Sequence, residues 1–141
     1  MKRLISFKTS VTITIVLLIL VTLFNLTVIV GLTPYDMVWG GRLKSKEEMI
    51  FFEMVSILIN FLSLLLVLIK SRRLFTGIGK IADILIWILP ILYFFGIIGN
   101  AMSTSAIEKV LFVPTTLLLF LLTVRIAIEK VNPLKKENFA A

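Results

Sequence analysis

Apolar residues run along this chain in four long stretches, broken by short segments that carry charges, prolines and glycines. From Thr9 to Tyr35 there are 27 residues without a charge, and from Ile84 to Ile107 another 24. Met49 to Ile69 adds 21 residues with the single charge of Glu53, and Val110 to Val124 adds 15 uncharged ones. Roughly 20 apolar residues in a helix cross the ~30 Å hydrocarbon core of a bilayer, so the first three stretches suffice outright. The fourth covers only about 22 Å at 1.5 Å per residue. Glu108, Lys109 and Arg125 are therefore expected close to the two interfaces, with their long side chains reaching outward. Open backbone cannot be hydrated in lipid, and the alternating pattern of a barrel strand is missing, so the segments are read as helices. The pattern predicts an all-α membrane protein, with helices over 9–32, 46–69, 80–99 and 106–130 in one transmembrane domain spanning 1–141. The four form an antiparallel bundle of two hairpins.

A basic start (Lys2, Arg3, Lys8) followed by an apolar run suggests a cleaved signal peptide. The run is far longer than an h-region, and no small-residue cleavage site follows it, since the first alanine is Ala82. The first segment is expected to stay in the protein. The +7 net charge is unevenly spread: the N-terminus, the second loop (Lys70, Arg72, Arg73, Lys80) and the C-terminal end (Arg125, Lys130, Lys135, Lys136) hold 11 of the 15 basic residues. The first loop (Arg42, Lys44, Lys46) and the third (Lys109) hold the other four. Basic loops stay cytoplasmic, which places both termini inside a multi-pass protein of the plasma membrane. A pI near 10 also invites a nucleic-acid reading. Such binders show a basic face on a folded domain, and no nucleic acid is expected here.

Both helices that start outside open on a serine–glutamate pair, Ser45 with Glu48 and Ser105 with Glu108, the capping-box spacing. Tyr35 and Trp39 at the outer end and Trp87 near the inner one suit interfacial belts. Pro90 and Pro114 lie within the third and fourth segments and free the carbonyls of Ile86 and Val110, which predicts kinks. Gly96, Gly99 and Ser103 allow close helix approach, within the chain or in a homodimer through Gly96 and Gly99.

The sharpest constellation is Glu53, Ser56, Asn60 and Ser63 on the second helix, where spacings of three, four and three share one face. Such a stripe turned to lipid would lose its partners, so it is expected inside. Counting 1.5 Å per residue puts Asn25, Tyr93, Thr115 and Thr116 near the level of Ser56. They predict a polar layer with Asn25, Tyr93 or Thr116 in hydrogen-bonding reach of the stripe. Interhelical hydrogen bonding accounts for the hydroxyl residues, and Asn60 fits that reading or a ligand contact equally. Glu53 is ionisable: it reads as the partner of Arg42 or Lys46, or as a ligand or proton site.

The first loop, Thr33 to Leu43, carries Pro34 and the pair Gly40-Gly41, which shape a turn. Arg42 can clamp an anion, or pair with Asp36 or with Glu53, about two turns (~12 Å) below the helix cap. The segment from Tyr35 to Asn60 resembles small four-helix integral membrane proteins of bacteria, a resemblance that implies the fold and no activity. Gly77-Ile-Gly79-Lys80 is an incomplete phosphate loop with no strand ahead of it, and it carries no nucleotide reading.

The chain has no cysteine and no histidine, which removes disulfides, thiolate chemistry and the usual zinc and haem sites; no cofactor is expected. An enzyme would have to pair Glu53 with Asp36, Glu47, Glu48 or Glu108. The polar stripe fades after Ser63, which favours an outward-facing pocket over a conduit. The expectation is a non-enzymatic protein binding a small ligand, lipid or membrane partner, with Arg42, Glu53, Ser56, Asn60, Asn25, Tyr93 and Trp39 at the site. A transporter or channel acting as an oligomer stands second, and a lipid-modifying enzyme third.

Overall fold

The computed structural model describes residues 5–106 and 108–130; Lys2, Arg3, Lys135, Lys136, the tail from Asn132 and the Asp36 side chain lie outside the described residues. Every regular element among the described residues is helical. Four stretches, Phe7–Ile29, Lys46–Lys70, Gly79–Ala101 and Glu108–Ala127, are long and apolar enough to cross a membrane.

Helix α1, Phe7–Ile29, starts where the Ser6 hydroxyl accepts the Thr9 N–H at 3.0 Å. It ends in a Schellman turn, Leu32 N–H to Thr27 O and Gly31 N–H to Val28 O, with Gly31 at φ 82°. Helix α2, Lys46–Lys70, is capped by Ser45 Oγ, which accepts the Glu48 N–H at 3.2 Å. The Glu48 carboxylate takes the Lys44 N–H at 2.9 Å in place of that of Ser45, so the reciprocal half of the cap is displaced by one residue. The same Schellman geometry ends α2, but Arg72 occupies the left-handed position (φ 60°) where glycine is usual.

The third span is broken into α3, Gly79–Leu85, and α4, Ile88–Ala101. Pro90 has no N–H for the Ile86 carbonyl, which accepts instead from Leu89 at 3.2 Å, and the helix tightens across Ile86–Trp87. The fourth span opens with a π turn, Glu108–Phe112, and continues as α5, Val113–Ala127. Pro114 thereby falls in the first turn of α5, where its missing N–H costs no ladder bond.

Helix α4 lies against α5, α1 against both α2 and α5, and α3 against α2. The main core joins Val11 and Leu18 of α1, Val67 of α2, Ile86, Leu89 and Tyr93 around the break, and Leu119 and Ile126 of α5. A smaller cluster, Val28, Val38 and Met49, sits under the first loop. Large apolar side chains such as Leu20, Phe61, Ile84, Phe95 and Val110 point outward, the inverse of a water-facing surface.

The expected outward reach of the terminal charges is corrected at two positions. Arg125 is buried; its Nε donates to Ile5 O at 3.0 Å and its Nη1 pairs with Glu129 at 2.7 Å. Glu108 turns inward to the first loop. A guanidinium or carboxylate that finds donors or acceptors inside the fold has no need of the interface.

Candidate functional site

Along α2, Glu53, Asn60 and Ser63 are buried and Ser56 is half-buried, the face that the three-four-three spacing defines. The first loop closes over its N-terminal end. Trp39, Gly40 and Gly41 all have positive φ (54°, 68° and 64°), a left-handed bend that two glycines make without penalty and a tryptophan does not. The bend aims the indole Nε1 of Trp39 at Glu53 Oε1, 2.9 Å away. It also turns the Gly40 N–H to Glu108 Oε2 at 2.9 Å. Thr104 Oγ1 donates to Gly40 O, and Ser105 Oγ donates to Met37 O, so the first and third loops are clasped together.

Two expectations fail here. Arg42 makes no ion pair with Glu53 among the described residues; its side chain folds back along the loop, its Nε 3.3 Å from where a Gly40 Cβ would stand. The carboxylate is served by Trp39, which the bend brings closer. The second capping box does not form, because Ser105 and Glu108 spend their polar groups on the first loop and the Ser105 N–H goes to Ser103 Oγ at 2.8 Å.

Two adjoining cavities lie beneath the clasp. The first, about 220 Å³, is lined by Asn25, Glu53, Ser56, Asn60, Asn100 and Glu108, with Phe24, Trp39 and Phe112 among its apolar walls. The second, about 480 Å³, is lined by Arg42, Tyr93, Gly96, Gly99 and Ser103. Trp39, Ser56, Ile59, Asn100 and Glu108 belong to both. All seven residues expected at a site thus line one or the other. A Cβ at Gly96 would meet the Thr116 methyl at 3.6 Å within the chain, and one at Gly99 would meet nothing within 4 Å.

The polar layer does not close on itself by hydrogen bonds. Asn25 Nδ2 is buried without a partner among the described residues, and so is Tyr93 Oη, although the Ser63 hydroxyl stands beside it. Among the described residues no hydrogen bond joins the stripe to Asn25 or Thr116; Asn100 Nδ2 reaches Thr116 Oγ1 at 3.5 Å. Thr115 is half-buried and bonds the carbonyl of Leu111 in its own helix. Threonine hydroxyls find carbonyls one turn back more easily than partners across a gap.

Sequence reasoning missed two features. One is the completion of the cavity wall by Asn100 and by the Gly40–Glu108 bond, which only the chain's path across 68 residues brings about, although Glu108 itself was named as a possible partner of Glu53. At the opposite end, fully buried Lys70 bonds Asp83 (2.9 Å) and Glu129 O (2.7 Å), while Arg72 Nη2 holds the other Asp83 oxygen at 2.8 Å. A signal existed: Asp83 is the lone carboxylate between Glu53 and Glu108, beside four basic residues.

Chemically, the smaller cavity offers two carboxylates, three amides and aromatic faces, a set suited to holding a cationic polar group. Among the described residues no three acidic side chains gather as a metal cluster would require. Comparison with protein-family models, with curated proteins and with solved structures found no match.

Proposed function

We propose that this chain is a non-enzymatic, multi-pass protein of the plasma membrane that binds a small ligand or lipid in the paired cavities beneath its first loop. In this reading the spans form an antiparallel bundle of two hairpins, both termini are cytoplasmic, and the cavities face outward. The carrying observation is the pair of buried amides in the wall of the smaller cavity: Asn25 Nδ2 is enclosed with no hydrogen-bond partner among the described residues, and Asn60, 9% exposed, lines the same cavity. An unmet amide in a low-dielectric interior is costly, and a bound ligand removes that cost.

Binding is favoured over transport by what lies below the cavities. Past Ser63 the interior becomes the apolar core of Val67, Ile86, Leu89 and Leu119, and the Lys70–Asp83 pair blocks the far end. A conduit needs a polar path, which one chain does not offer. Extraction of ligands from the purified protein tests the reading: mass spectrometry should find a small molecule or lipid retained by the wild type and depleted in a folded Ser56→Phe variant. Equal content in the two would overturn it. In liposomes no saturable solute flux is expected, and such flux would move the assignment to transport. Orientation is tested by cysteine labelling of intact cells, clean in a chain without cysteine. Lys44→Cys should label from outside and Gly77→Cys only after permeabilisation, both positions being exposed.

A further inference from the structure

Resting on that reading, we infer that the cavities and an adjoining apolar groove form one site for a lipid whose headgroup joins an ammonium to a phosphate. The ammonium sits between Glu53 and Glu108, the phosphate faces Arg42, and one acyl chain lies between α2 and α4.

The charge pattern selects the headgroup. Among the described residues, Glu53 and Glu108 are the charged ones lining the smaller cavity, and they share its wall. Each receives one N–H, from Trp39 and Gly40. Two like charges in a small apolar-walled space repel, and a shared cation relieves them. An ammonium supplies three donors, enough for both carboxylates and the amide oxygen of Asn60, which lines the same cavity. The Trp39 face adds cation–π attraction. Arg42 lines only the adjoining cavity and holds no ion partner among the described residues, which leaves its planar fork free for a phosphate.

The groove supplies the rest. It has a volume of about 520 Å³ and is walled by leucines and isoleucines of α2, α3 and α4. Ile59 and Leu92 belong to both the groove and the Arg42 cavity, so headgroup and chain sites are continuous. From Glu53 to Ile69 is about 24 Å along the helix, close to half of the ~40–45 Å bilayer that one lipid fills. The headgroup is held about two turns below the outer cap, deeper than a lipid rests in its own leaflet.

The test offers the purified full chain an equimolar mixture of phosphatidylethanolamine, phosphatidylglycerol and diacylglycerol, read by native mass spectrometry. Selective retention of phosphatidylethanolamine by the wild type is expected, and it needs no variant. Glu53→Gln with Glu108→Gln should weaken that retention at least about tenfold, the loss of a charge-assisted bond. Arg42→Gln, an exposed change that leaves the fold alone, should weaken it by a smaller factor. Equal retention of phosphatidylglycerol or diacylglycerol would overturn the headgroup assignment while leaving the binding reading intact. Displacement of the lipid by free ethanolamine at millimolar concentration would overturn it in favour of a soluble amine. Failure to retain any of the lipids, with cavity-filling variants also indistinguishable from wild type, would remove both readings.

Discussion

The indole N–H of Trp39 donates to the Glu53 carboxylate at 2.9 Å, and this bond, made from a left-handed turn, seats the first loop on the second helix. Trp39 also packs against Phe52 with ring centroids 4.9 Å apart, so its orientation is held from two sides. The loop is a lid made of backbone geometry as much as of side chains.

Replacing Trp39 with phenylalanine should keep the ring contact and remove the donor. A hydrogen bond to a charged group contributes about 1.5–3 kcal/mol, and Trp39→Phe should lose stability on that scale in detergent. Arg42→Ala breaks no ion pair with a described residue and should stay within about 0.5 kcal/mol of wild type. Thermal unfolding of the two variants side by side decides the matter. A larger loss for Arg42→Ala would return the carboxylate to the arginine.

The clasp between the loops predicts a local effect at one amide. Gly40 N–H, bonded to Glu108 Oε2, should exchange slowly with deuterium in the wild type. Glu108→Gln keeps a carbonyl acceptor at the same reach and should preserve much of the protection, whereas Glu108→Ala should abolish it. Exchange at the Trp39–Gly41 peptide read by mass spectrometry checks this. Unchanged protection in Glu108→Ala would mean that the loop holds itself.

Much of this was legible in the chain. Uncharged runs located the spans, because a bilayer demands long apolar helices, and Pro90 marked the break at Ile86–Trp87, because a missing N–H has local consequences. The stripe from Glu53 to Ser63 was legible for the same reason: helical spacing alone decides which residues share a face. Trp39 as the partner of Glu53 was not, since it depends on three successive positive φ values, one at a residue type that disfavours them. Glu108 was misread as a helix cap because the competing donor, Gly40, is distant in sequence and near only in the fold. Local rules reached local structure, and the cavity wall was assembled from contacts they do not see.

Gly79 illustrates a contact of that kind. A Cβ there would stand 2.0 Å from Arg72 Nη1, and the guanidinium cannot step aside without leaving Asp83. Gly79→Ala should therefore lower thermal stability in the wild-type background. In an Arg72→Ala background the same change should be neutral or gain up to about 1 kcal/mol, since alanine suits a helix better than glycine. The double-variant cycle reads the difference, and additive effects would show that the two residues do not interfere.

The last prediction concerns the buried ionic cluster at the opposite end from the cavities. Lys70 is 1% exposed and Asp83 bridges it to Arg72, whose Nε and Nη1 have no partner among the described residues. The three residues are unequal. Lys70→Met removes a buried charge, replaces its stem with apolar volume, and leaves Asp83 paired with Arg72; the loss is of the Glu129 carbonyl's donor and one ion contact. Asp83→Ala instead strands two cations, one of them fully enclosed. Breaking a buried pair by deleting one partner is worth about 3–5 kcal/mol, more than replacing the enclosed charge with a hydrophobe of similar shape. The expected order of thermal stability is wild type, then Lys70→Met, then Asp83→Ala. Combining Lys70→Met with Asp83→Ala should recover part of the loss seen in Asp83→Ala alone, because the enclosed charge is gone. If the combined variant is less stable than Asp83→Ala, Lys70 is held by the Glu129 carbonyl and surrounding packing, and the aspartate is not what keeps its charge in place.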